Sequence, residues 1–208
     1  GSSVGAVSGD GAAGGGAPRR GPGRPPDLAK RRAVLDATLD VLAEGGFAGL
    51  TIDAVAQRAG TTRVLVYRVW ETKAALAADA LFSSADDLVV PDTGDLRADL
   101  DDFVGQLVAR FCRPAHVMGV PGLTVELLGD AELARDVHAR YIRPAEEGFA
   151  TILDRARARG DHVGPVDPRA LNTLVSGMAT GLTQGLRLTP VEITDLVVST
   201  VVDGALGR

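Results

Sequence analysis

Cysteine, histidine and aromatic residues are scarce in this chain: one Cys, three His, and 4% Phe, Trp and Tyr among 208 residues. The single Cys112 excludes an intrachain disulfide and fits a reducing compartment. It reads as a small core residue rather than a sensing thiol. The histidines and the cysteine do not cluster at metal-ligand spacing, so neither a metal nor a cofactor is expected. No run of 18 apolar residues is present, which removes a membrane span. The first residues lack the apolar core of a signal peptide, and Gly1-Ser2 reads as the remnant of a cleaved tag. A cytoplasmic location is expected. Nucleophile elbow, phosphate loop and HExxH patterns are all missing. The carboxylate pairs Asp86-Asp87 and Asp101-Asp102 are adjacent, so they diverge on a helix and suit solvated faces. These absences point away from an enzyme.

What is present is apolar residue, at 45%, and an uneven distribution of charge. The whole chain carries a net charge of −5. Residues 18–73 nevertheless hold ten Lys and Arg against six Asp and Glu, and residues 74–208 hold twelve against twenty. A basic third on an acidic body is the pattern of a nucleic-acid-binding head on a regulatory module.

The centre of that basic third is TIDAVAQRAGTTRVLVYRVWETK, Thr51 to Lys73. It reads as two short helices, Ile52 to Ala59 and Thr62 to Val69, joined at Gly60. Ala56 is small where the second helix crosses, Gly60 permits a left-handed turn, and Val66 plugs the angle with Val55, Ala59 and Val69. Thr51 caps the first helix and Thr61 or Thr62 the second. The pattern is a helix-turn-helix, the unit that lays its second helix in the DNA major groove. Alone it fits a buried helical hairpin equally well, and its surroundings decide.

Before it, residues 1–27 form a flexible arm ending in PRRGPGRPP. Arg24 within Gly-Arg-Pro suits either a minor groove or a solvated basic tail. A helix from Leu28 to Gly45 follows, with Lys30, Arg31 and Arg32 in its first turn. Cations are misplaced at that end of the helix dipole, and DNA phosphate would answer them. After the opening unit, a fourth helix is expected from Thr72 to about Leu88, locked to the head by Trp70 and Leu76.

Taken in order, residues 28–76 resemble the DNA-binding domain of the TetR (tetracycline-repressor-like) family. The resemblance rests on AVLDATLDVLAEGGFAGLTIDAVAQRAG and TTRVLVYRVWETKAAL, with Gly60, Thr62, Tyr67, Trp70, Lys73 and Leu76 at the family's marked positions. Trp70 replaces the usual Phe, and Val69 stands where the family often has His. The resemblance implies that Thr62, Arg63 and Leu65 meet base edges. It further implies that Thr51, Tyr67, Arg68 and Lys73 hold phosphates. Arg24 of the arm and Arg31 of the basic helix start join the candidate DNA contacts on their own charge and position.

The rest of the chain reads as all-helical. One helix runs from Asp95 to about Phe111. Residues 112–122 read as a loop or broken helix, and Leu123 to Leu128 as a short one. Asp130 caps a helix to about Arg159, with a kink expected at Pro144. Phe103, Leu107, Phe111, His116, Met118, Leu127 and Tyr141 are candidates to line a cavity, each also readable as ordinary core. The resemblance implies that such a cavity takes a small-molecule effector of unknown identity.

The last two helices, 167–188 and 190–206, are strongly apolar on one face. Gly177, Gly181 and Gly185 at four-residue spacing suggest close helix approach or a loosely packed helix. A second copy would cover these faces as a four-helix bundle, placing two recognition helices about 34 Å apart. The expected architecture is therefore all-α. It comprises an arm at 1–27, a helix-turn-helix head at 28–73, and an effector-binding and dimerisation body at 74–208. The expected function is sequence-specific transcriptional regulation, as a repressor released from a palindromic operator by an effector. A ligand-independent regulator or an activator of the same fold is the alternative.

Overall fold

The computed structural model describes residues 26–83, 88–186 and 188–201, and every regular element among them is a helix. Helix α1 spans Pro26–Gly49 and breaks at Gly46, where φ is 62°. The break turns Phe47 and Leu50 back into the core. Helix α2 (Ile52–Arg58) is capped by Thr51, whose hydroxyl accepts from the Ala54 N–H at 3.2 Å. Gly60 takes the left-handed φ of 64° that the turn requires. Helix α3 (Arg63–Tyr67) is capped by Thr62, and α4 (Lys73–Phe82) by Thr72. Val55, Ala56 and Val66 are buried at the crossing, as the spacing predicts. Val69 is not: it is 56% exposed. Helix α4 stops at Phe82, short of the expected Leu88, with residues 84–87 outside those described.

The body departs from expectation at two prolines. Helix α5 (Leu96–Phe111) is followed directly by α6 (Pro114–Gly129), one continuous helix where a broken segment was predicted. Pro114 sits in its first turn, where a missing N–H is harmless. Pro121 lies inside α6 and leaves the Val117 carbonyl without its helical donor. The Gln184 side-chain amide donates to that carbonyl at 3.4 Å. The second departure precedes Pro144. Helix α7 (Ala131–Val137), capped by the Asp130 carboxylate, widens into a π-helical turn at His138–Ile142 before α8 (Arg143–Arg159) begins. The proline thus occupies the first turn of α8, and the irregularity falls just ahead of it. Helices α9 (Pro168–Gly185) and α10 (Pro190–Val198) close the fold, the latter on a Thr189–Glu192 capping box.

Two apolar cores result. The first joins α1 to α4 with Ala115 and Leu123 of α6 and Val137 of α7. The second joins α5, α8, α9 and α10. Close approach occurs between α1 and α6, where a Cβ on Gly122 would stand 2.4 Å from the Phe47 Cβ. At Gly177, Gly181 and Gly185 an added Cβ would meet nothing within 4 Å, so these glycines bring no helices together within the chain.

Candidate nucleic-acid interface and internal cavity

The exposed face of the head is built by α3 and its flanks. Arg63, Val64, Leu65, Tyr67 and Arg68 all face solvent, while Val66 alone on this short helix is buried. Thr51, Arg63, Tyr67 and Lys73 line one hollow of about 390 Å³. Leu65 and Arg68 line a second groove on the other side of α3, beside Lys30 and Arg31 of α1. The Lys73 ammonium lies 4.5 Å from the Phe47 ring centroid, which holds the side chain at the rim. Arg63 stands 3.9 Å from the Asp53 carboxylate, a loose exposed pair. The predicted contacts thus fall in two groups flanking α3, Thr51, Arg63, Tyr67 and Lys73 on one side and Leu65 and Arg68 on the other, and two residues stand apart from this account. Arg24 lies outside the described residues. Arg31 is committed within the protein, its guanidinium donating to the Asp79 carboxylate at 2.5 Å. The basic start of α1 thus has an internal partner, where sequence reading assigned all of it to phosphate.

Asp79 is the residue that sequence reading missed. It is buried in α4 and accepts three hydrogen bonds. Arg31 and the Trp70 indole N–H (2.7 Å) share one oxygen, and the Tyr141 hydroxyl (2.7 Å) takes the other. Burial and the neighbouring Asp79 charge push Tyr141 up to about 12, so its hydroxyl stays a donor. A single carboxylate therefore ties α1 and the end of the helix-turn-helix to the widened turn of the body. No periodicity reveals such a site, because its partners are 48, 9 and 62 residues away.

Tyr141 has a second surface. It lines a cavity of about 490 Å³ between α4, α5, α6, α8 and α9. Leu107, Phe111 and Leu127 line it too, as expected from sequence. The other candidates lie elsewhere. Phe103 is fully buried in the second core, edge-on to Phe149 at 5.0 Å. Met118 is 47% exposed and lies against Gly46 of α1. His116 stands behind the cavity wall, its ring 6.0 Å from Phe82 and 6.2 Å from Phe111. Burial, with Arg110 and Arg113 nearby, lowers His116 to about 4, so it is neutral at pH 7. The Leu81 backbone opposes this without completing a hydrogen bond. The far wall is Asn172, Ser176, Gly177, Thr180 and Gly181 of α9. Polar residues at helical spacing read as a solvated face, so sequence alone did not place them in a cavity.

Comparison with known proteins agrees with this geometry. The profile of bacterial regulatory proteins of the tetR family matches residues 34–80, and that of the tetracyclin repressor-like C-terminal domain matches residues 90–204. The HTH-type transcriptional regulator YdeS of Bacillus subtilis is 33% identical over 144 residues, covering 67% of this chain and 70% of its own. The DNA-binding transcriptional repressor TetR of Mycobacteroides abscessus is 31% identical over 151 residues, covering 71% and 78% respectively. Among solved structures, the TetR family transcription regulator SCO0332 superposes with a TM-score of 0.62 at 29% identity, covering 84% of this chain and 97% of its own. Among the described residues no helix is long and apolar enough to cross a membrane. The chain belongs to the TetR family of DNA-binding transcriptional regulators.

Proposed function

We propose that the protein is a homodimeric repressor that leaves a palindromic operator when a small molecule enters the cavity of about 490 Å³. The observation that carries this reading is the double role of Tyr141, which lines the cavity and donates to Asp79. Asp79 in turn holds Arg31 and Trp70 of the head. A ligand that displaces the Tyr141 hydroxyl alters the support on which α1 and α3 are held. The cavity favours effector control over a ligand-independent regulator. On the DNA side, Thr62, Arg63 and Leu65 read bases, and Thr51, Tyr67, Arg68 and Lys73 hold phosphates. With Val64 and Leu65 exposed beside it, Arg63 is the chief carrier of base specificity, aided by thymine-methyl contact.

Dimerisation runs through α9 and α10, supported by the exposed Leu174, Leu186, Val191 and Leu196 on these helices and their ends. The test is to recover host DNA fragments bound by the protein, derive the operator, and follow it by fluorescence anisotropy. Tyr141→Phe, which removes the hydroxyl for good, should weaken operator binding without ligand and blunt the further release that ligand brings. Unchanged release by the same ligand would refute the Tyr141 route.

A further inference from the structure

Helix α9 gives the cavity a polar wall that core packing does not account for. Asn172, Ser176 and Thr180 line it and stand four residues apart, so they form one column along the helix. Asn172 is the decisive member. It is 8% exposed, and its side-chain amide has no hydrogen-bond partner among the described residues. A buried amide left unpaired destabilises a fold, and a leucine of similar shape would pack there without that cost. Ser176 donates to the Thr173 carbonyl at 3.2 Å, which leaves its oxygen free to accept. Gly177 and Gly181 lie beside the column, line the same cavity and are exposed. An added Cβ at either would meet nothing within 4 Å, so these glycines keep the mouth of the cavity open.

Charge restricts the ligand further. Arg110 is the one charged side chain among the lining residues, and it is buried and already engaged within the protein. The Tyr141 hydroxyl is committed to Asp79. An ionised ligand would lose its water and find no unpaired opposite charge. Resting on the effector reading above, we propose that the cavity takes an uncharged, largely apolar molecule bearing a carboxamide or lactam. Such a group carries a carbonyl and an N–H side by side. Asn172 meets it edge to edge, donating to the carbonyl and accepting from the N–H. A ketone answers half of Asn172 and leaves the other half unpaired. Leu107, Phe111 and Leu127 then surround the hydrocarbon or aromatic body.

The test uses the full chain and two series of probes on matched skeletons. One is 1-naphthylacetamide, 1-naphthylacetone and 1-naphthylacetate; the other is octanamide, 2-nonanone and octanoate. Affinities are read by calorimetry. In at least one series the amide should bind about ten-fold or more tightly than both the ketone and the carboxylate. Asn172→Leu keeps the volume and should cut the preference for amide over ketone below about three-fold. Should the leucine variant fail to fold, Asn172→Ala should do the same. Equal affinity for amide and ketone, a carboxylate bound more tightly than its amide, no binding of either amide, or a preference that survives these substitutions would overturn the proposal. Operator anisotropy separates it from the effector reading. An Asn172-dependent amide that leaves DNA bound keeps this site and removes its regulatory role. Release by amide and ketone at equal concentrations does the reverse.

Discussion

Arg63 and Lys73 line the same hollow but differ in what they are asked to do. Arg63→Ala should cost about 1–3 kcal/mol at the operator and flatten the preference for it over unrelated DNA. Lys73→Ala should weaken both about equally and reduce the salt dependence of binding. Anisotropy titrations at two salt concentrations distinguish the two patterns. Asp79→Ala leaves Arg31, Trp70 and Tyr141 without their common acceptor. Removing one partner of such a buried network costs about 3–5 kcal/mol, which chemical denaturation would register. His116 sets a pH dependence. Its value falls from the ordinary 6.5 to about 4 on folding. Between these values the unfolded chain binds a proton that the folded chain excludes. Stability is therefore full above pH 6.5 and declines as pH falls toward 4, by up to roughly 3 kcal/mol. Melting curves across that window should show the decline, and His116→Phe should blunt it.

At the scale of elements, local signals were readable and distant compensations were not. Gly60 with Thr51 and Thr62 announces two capped helices, because each device acts within three residues of itself. Residues 112–122 read as a loop or broken helix because the remedy for Pro121, the Gln184 amide, comes from another helix 67 residues on. Tight glycines are misplaced for a related reason. Gly177, Gly181 and Gly185 have the conspicuous spacing, yet close contacts fall at Gly122 and Gly148, whose neighbours Phe47 and Phe103 no periodicity identifies. Asp79 looked like one polar interruption of an alanine-rich helix, and its meaning exists only after folding. Gly122→Ala should push α6 away from α1 and cost about 1–3 kcal/mol, since the obstructing atom is a Cβ that cannot rotate away. A lowered melting temperature, with helical circular dichroism retained at 20–25 °C, is the expected result.

The whole molecule joins a basic reading surface to an acidic body, and its predicted symmetry is testable by mass. Analytical ultracentrifugation should find a dimer. Replacing Leu174 and Leu196 together by Arg should yield a folded monomer that binds operator weakly, because each half-site is then engaged alone. The seam between the two apolar cores has a consequence for how the protein can be divided. The DNA reader does not end where the helix-turn-helix ends. Its core takes in Ala115, Leu123 and Val137, and it is held by Tyr141. A chimera cut just after Lys73 would strip the head of the α6 surface under Phe47 and leave it with an uncovered apolar underside. A recombinant regulator that keeps its shape must carry α1–α4 together with α6 and α7 from one parent. Operator specificity and sensor are thus inherited as interleaved stretches of chain.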